Sequence, residues 1–135
     1  MSKLQTVNVD GVGRLPAFSH ATVANGWIFV SGTLGTQPDS FTLVEGGVGP
    51  ETRQALENIG RILSGAGASF RDVAKVNVYL TDMTGFADMN QAYLGFFESD
   101  PPARITVGCA GLALGATVEI DCVAVGPQSA PAGAR

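Results

Sequence analysis

Apolar and polar residues alternate most cleanly along Val73–Leu80, with Val76, Val78 and Leu80 on one side and Lys75, Asn77 and Tyr79 on the other. A period of two predicts a strand with one buried and one wetter face. Two shorter β-branched and aromatic runs, Ala21–Ala24 and Trp27–Val30, flank Asn25-Gly26. That dipeptide accepts the positive φ of a type I′ turn, so the runs form an antiparallel hairpin. Leu4–Val9 alternates more weakly and reads as a first strand. After a Gly-rich connection from Gly32 to Gly49 the period changes, and Leu56, Ile59, Ile62, Leu63 and Ala66 fall on one helical face. Pro50 at the first helical position and Glu51 in the first turn mark its start, and Gly67 its end. A second helix follows the Val73–Leu80 strand, capped by Asp82 or Thr84 and stopped by Asp100-Pro101. Its apolar positions are Phe86, Met89, Tyr93, Phe96 and Phe97, of which the phenylalanines read as core; Trp27 reads as core or subunit contact. Arg104–Cys109 and Thr117–Val125 close the chain. The order β-β-β-α-β-α-β-β is an α+β fold with both helices on one face of a sheet.

Composition sharpens this reading in three ways. The 135 residues are 45% hydrophobic and 15% charged, enough for one domain with a real core, expected over residues 1–126. So few charges leave surface for contact with copies of the chain, so a homo-oligomer is expected. The Pro-, Ala- and Gly-rich stretch 127–135 is expected to be a flexible tail. With eight Lys and Arg, no basic run and a net charge of −4, the chain lacks the electrostatic footprint of a nucleic-acid binder. Cys109 and Cys122 lie in apolar runs and read as packed thiols, and no membrane span or apolar leader is visible. A cytoplasmic location is expected.

Arg104 is the residue most suited to binding an anion. It follows Pro101-Pro102-Ala103, whose fixed φ angles lead stiffly into the strand. Its guanidinium matches a carboxylate bidentately. Glu119, fifteen positions on in another apolar strand, is a carboxylate that burial can shift toward proton exchange near neutral pH. On its strand Arg104 shares a face with Thr106, and on the last strand Glu119 shares one with Asp121. The link Ala110–Ala116 either closes a hairpin between these strands or steps over another, so their contact is left open.

Several fragments in order resemble the Rid family, also called YjgF: Arg53–Ile59, Val78–Met83, Asn90–Tyr93 before Phe96-Phe97, Pro102-Ala103-Arg104, and Glu119. The resemblance extends from Phe18 to Val125. It implies a chorismate-mutase-like mixed six-stranded sheet with two helices on one face, and a homotrimer with clefts between subunits. It also implies hydrolysis of reactive 2-enamino and 2-imino acids, such as 2-aminoacrylate and 2-iminobutanoate, to 2-keto acids and ammonia, with no metal or organic cofactor. By position, Arg104 would bind the substrate carboxylate and Glu119 would hold the attacking water. Phe18, Ser31, Gly32, Asn90 and Thr106 would line the pocket. Thr106 stands where many relatives have Cys. Phe18 stands where the family commonly has Tyr, and His20 where it often has Gln.

The sequence admits two functions. One is an imine or enamine deaminase, and the other is a non-catalytic trimer that binds 2-keto acids or a partner enzyme through the same clefts. No nucleic-acid or membrane partner is expected.

Overall fold

Residues 3–127 are described by the computed structural model, and of the expected tail, residues 128–135 lie outside the described residues. The elements follow the expected order: β1 (Leu4–Val7), β2 (Ala21–Ala24), β3 (Trp27–Thr33), α1 (Val48–Gly65), β4 (Val73–Leu80), α2 (Phe86–Leu94), β5 (Ala103–Gly108) and β6 (Val118–Val125). The strands form one six-stranded sheet in the order β1-β2-β3-β6-β4-β5. The link left open by the sequence therefore steps over β4, because β6 enters between β3 and β4 and β5 stays at the edge. Every pair is antiparallel except β4–β5, which is parallel and needs a crossover. Helix α2 is that crossover.

Local chemistry accounts for most boundaries. Asn25 (φ 51°) and Gly26 (φ 80°) take the left-handed conformations of a type I′ turn, and Ala24 pairs with Trp27 across it. Helix α1 begins at Val48, so Pro50 is its third residue rather than its first; a Pro there still gives up only an amide with no intrahelical partner. The helix ends in a Schellman motif. Gly67 (φ 81°) donates to Ser64 O at 3.0 Å and Ala68 donates to Leu63 O at 2.8 Å. Helix α2 is shorter than expected. Asp82 caps a 3-10 turn, Met83–Gly85, by accepting the Thr84 amide at 2.9 Å, and α2 stops at Leu94, ahead of Gly95. Phe96 and Phe97 thus leave the helix, and reach the core by packing on Phe70, with ring centroids 5.4 Å apart in both pairs.

Both helices cover one face of the sheet. Leu56, Ile59, Ile62 and Leu63 of α1 and Met89 and Tyr93 of α2 pack with Ile28, Val30, Val76, Val78, Leu80, Val118, Ile120 and Cys122. Each fully buried aliphatic side chain contributes about 1.5–3 kcal/mol. Burial pushes the Cys122 thiol up to about 12, so it acts as a packing group. Cys109 departs from its expected place inside a strand: it follows β5 as a partly exposed free thiol. Phe86, expected in the core, lies outside it, and of the two places expected for Trp27 the core is not the one it takes. Phe86 is 39% exposed because it begins α2 at the rim, and Trp27 is 44% exposed because β3 parity turns it to the open face.

That open face, opposite the helices, carries Trp27 and Phe29 of β3, Lys75, Asn77 and Tyr79 of β4, Ile105 and Val107 of β5, and Glu119 and Asp121 of β6. Its exposed aromatic and aliphatic side chains form a surface suited to covering by protein.

Candidate functional site

The residues singled out by the sequence separate into two groups. Phe18, Ser31, Gly32 and Glu119 line one cleft of about 200 Å³, together with Leu15, His20, Thr33, Leu34, Phe41 and Leu114 among others. A β-bulge builds its floor. Val30 pairs with Cys122 and Thr33 with Ile120, so Ser31 and Gly32 together oppose Asp121. Ser31 is held by its hydroxyl, which donates to Ser19 O at 2.6 Å, and by its amide, which donates to His20 O at 3.0 Å. Gly32 lies directly beneath Glu119: a Cβ there would collide with Glu119 Oε2, so the missing side chain is what lets the carboxylate lean over the bulge.

Glu119 is half-buried, and burial raises its pKa above the ordinary carboxylate value, with the negative charge of Asp121 adding to the rise. Asp121 itself accepts Asn77 Nδ2–H at 2.7 Å and the Tyr79 hydroxyl at 3.1 Å. Around this carboxylate the walls are apolar. Leu114 (φ 61°) holds a left-handed conformation that L residues avoid, at a cost of about 1–3 kcal/mol, and presents its side chain at the cleft.

His20 is buried and fully engaged. Its Nδ1 accepts the Val9 amide at 3.0 Å and its Nε2 faces Gly13 O at 3.1 Å, an arrangement only the neutral Nε2–H tautomer satisfies. It therefore braces the loop between β1 and β2 on itself, and both ring nitrogens are spent there.

Arg104, Asn90 and Thr106 form the second group. Register pairs Arg104 with Val76 and Thr106 with Val78, so both project to the helix side. There Arg104 donates from Nη1 to Asn90 Oδ1 at 2.8 Å and lies over the rings of Tyr93 (4.6 Å to the centroid) and Phe86 (5.6 Å). Burial raises the pKa of the Tyr93 hydroxyl, and the nearby guanidinium partly opposes this. The Tyr93 hydroxyl, which interacts with the Arg104 guanidinium, and Thr106 Oγ1, on the same face of β5 as Arg104, are both buried, and Thr106 Oγ1 has no hydrogen-bond partner among the described residues. A buried unpartnered hydroxyl on that face suits a polar ligand or water.

Arg104 and Glu119 thus do not meet within one chain. Glu119 pairs with Tyr79 and Arg104 with Val76, two strands apart and three residues out of step. Standard spacings put their Cα atoms about 14 Å apart, with side chains on opposite faces. Among the described residues no group of three or more His, Cys, Asp or Glu side chains is placed to hold a metal ion, and no helix is long and apolar enough to cross a membrane.

Comparison with known proteins gives this geometry a family. The chain matches the family described as Endoribonuclease L-PSP over residues 12–126. It belongs to this family, the YjgF/Rid family. The Rid-family chain is 40% identical over 113 residues to the 2-iminobutanoate/2-iminopropanoate deaminase of Homo sapiens, covering 84% of this chain and 82% of that protein. Its fold is similar to the crystal structure of the yeast protein YEO7, with a TM-score of 0.88, 34% identity, and coverage of 92% and 99% of the two chains. It is also similar to E. coli TdcF with bound serine, with a TM-score of 0.84, 27% identity, and coverage of 91% and 99%.

Sequence reasoning missed Leu15, Phe41 and Leu114, which wall the cleft from three separate loops and carry no periodic signal. Tyr93, an apolar position of the second helix in the sequence, is buried; its place beneath Arg104 follows only from the parallel β4–β5 pairing.

Proposed function

We propose that this Rid-family chain hydrolyses 2-imino acids, and 2-enamino acids through their imine tautomers, to 2-keto acids and ammonia. The site is completed between two copies in a homotrimer. The observation that carries the proposal is the separation of Arg104 from Glu119 onto opposite faces of one sheet, with Arg104 on the edge strand. A carboxylate grip and a proton-exchanging carboxyl are each well formed but half of a site. Pairing the Arg104 group of one copy with the Glu119 cleft of the next places both around one small molecule, and the apolar open face is suited to that association.

In this reading Arg104 grips the substrate carboxylate, with Asn90 fixing the guanidinium and Tyr93 supporting it. Protonated Glu119 donates to the imine nitrogen as the water oxygen bonds to the imine carbon, and takes a proton back from that water, which leaves a carbinolamine. It repeats the exchange as the carbinolamine breaks down, protonating the amine and taking the hydroxyl proton as the C–N bond breaks, the keto group forms and ammonia leaves, so the carboxyl ends as it began. The raised proton affinity of Glu119 suits both steps. The name of the human relative, a deaminase of 2-iminobutanoate and 2-iminopropanoate, supports the same substrate class. The net charge of −4 argues against an RNA substrate, although the family is described as an endoribonuclease. The free thiols Cys109 and Cys122 accord with a reducing, cytoplasmic setting.

One observation favours a second reading, a trimer that binds 2-keto acids without turning over imines. Phe18 brings a ring and no hydroxyl to the cleft. The test is ammonia release from 2-iminobutanoate and 2-aminoacrylate generated in situ, with Arg104→Ala and Glu119→Ala beside the parent chain. Acceleration lost in both variants is the expected result. A folded parent chain that accelerates neither imine but binds 2-ketobutanoate would replace the first reading with the second.

A further inference from the structure

We propose that Asp121 is a positioning residue for Glu119: clamped by Asn77 and Tyr79, its fixed negative charge keeps the neighbouring carboxyl able to exchange protons over the cleft. The geometry comes from three strands. Glu119 and Asp121 share the open face of β6, two residues and about 7 Å apart. Both oxygens of Asp121 are occupied from β4, Oδ1 by Asn77 Nδ2–H at 2.7 Å and Oδ2 by the Tyr79 hydroxyl at 3.1 Å. On the β3 side the Ser31-Gly32 bulge opposes Asp121 and, having no side chain at Gly32, leaves Glu119 only the space above it. The charge of Asp121 is thus held in one place, beside a carboxyl to which the bare Gly32 gives room.

Among the described residues no other charge competes closely. From β4, Tyr79 lies across from Glu119 while Lys75 pairs with Val123, farther along the sheet; β5 offers only Ile105 and Val107 on this face. The bulge on β3 brings no ionisable group. His20 lines the cleft with its ring nitrogens engaged by Val9 and Gly13, and Arg14 turns to Leu15 O and Phe18 O. Burial and the Asp121 charge both push Glu119 toward holding its proton. Burial varies with whatever occupies the cleft, whereas the clamped charge does not.

The catalytic consequence rests on the deaminase reading, but the proton-binding consequence does not, so the primary readout is independent of turnover. The full chain is labelled with glutamate ¹³C at the side-chain carboxyl, and the Glu119 signal is assigned by its loss in Glu119→Gln. The titration midpoint of Glu119 is expected to shift to lower pH in Asp121→Asn and to return toward the parent value in Asp121→Glu. A midpoint unchanged in a folded Asp121→Asn overturns the proposal. If that variant does not fold, the Asn77→Ala/Tyr79→Phe double variant tests the clamp, since an unheld Asp121 turns to solvent. There too the midpoint is expected to fall, and an unchanged midpoint overturns the proposal.

With turnover present, the acid limb of the kcat/KM profile is expected to shift to lower pH with the midpoint. An active parent chain with neither limb nor midpoint moved by Asp121→Asn overturns the proposal. A midpoint that moves in a protein inactive on every imine supports the proposal and removes the deaminase reading alone.

Discussion

Gly32→Ala separates the position of Glu119 from its presence. A methyl group at residue 32 would occupy the place of Glu119 Oε2, and the carboxylate must retreat by about 1 Å to restore ordinary contact. The atom in the way is the far end of a flexible side chain, and Gly32 does not hold a left-handed φ that Ala would resist. Stability is therefore expected to stay within about 0.5 kcal/mol of the parent chain. Turnover is another matter, because displacing a catalytic group by about 1 Å costs roughly 10²-fold, or about 2.7 kcal/mol of barrier. Ammonia release from 2-iminobutanoate, measured beside chemical denaturation of the same preparation, checks both halves. Full activity in a stable Gly32→Ala chain would refute the argument that the bulge aims Glu119. Loss of activity together with several kcal/mol of stability would show that Gly32 serves the backbone instead.

Glu119→Gln is expected to lower turnover by about 10²- to 10⁴-fold while stabilising the fold. The sign follows from a pKa raised on folding: the folded protein binds the proton more tightly, so ionisation costs stability as pH rises from the unfolded value through the folded one. Below that window the two chains should melt alike, and above it Glu119→Gln should melt higher; a variant that melts lower above the window contradicts the reading. Asn58→Ala should destabilise the fold by about 2–4 kcal/mol in urea. Buried Asn58 donates to Leu34 O at 3.1 Å and Thr36 O at 3.0 Å, and both carbonyls would lose that donor. A change under about 0.5 kcal/mol would mean that the loop behind the cleft is held by something else.

Elements that carry their own signal were legible in the chain. The Asn25-Gly26 hairpin, the α1 face and the alternation of Val73–Leu80 depend on neighbours in sequence, and the structure has them where expected. Boundaries set by competition were less legible: Phe96 and Phe97 repeat at helical spacing, yet Gly95 ends α2 and the two rings pack on Phe70 instead. The parity of Arg104 and Glu119 within each strand was readable, but their relation was not. It depends on β6 inserting between β3 and β4, a long-range pairing with no local trace in the Ala110–Ala116 link. The bulge is similar in kind, since Ser31-Gly32 reads as the end of a strand until Thr33 is found paired with Ile120. Asp121 was visible as the face-mate of Glu119, whereas its clamp by Asn77 and Tyr79 needed the β4–β6 register.

The central claim is that one site draws Arg104 from one copy and Glu119 from another, and co-expression of Arg104→Ala with Glu119→Ala chains tests it most directly. Neither variant alone should release ammonia from 2-iminobutanoate above background. Randomly mixed trimers should recover about one quarter of parental activity, because that share of interfaces joins an intact Arg104 to an intact Glu119. Mixed trimers verified by native mass spectrometry that remain inactive would contradict the account and require both residues from a single chain.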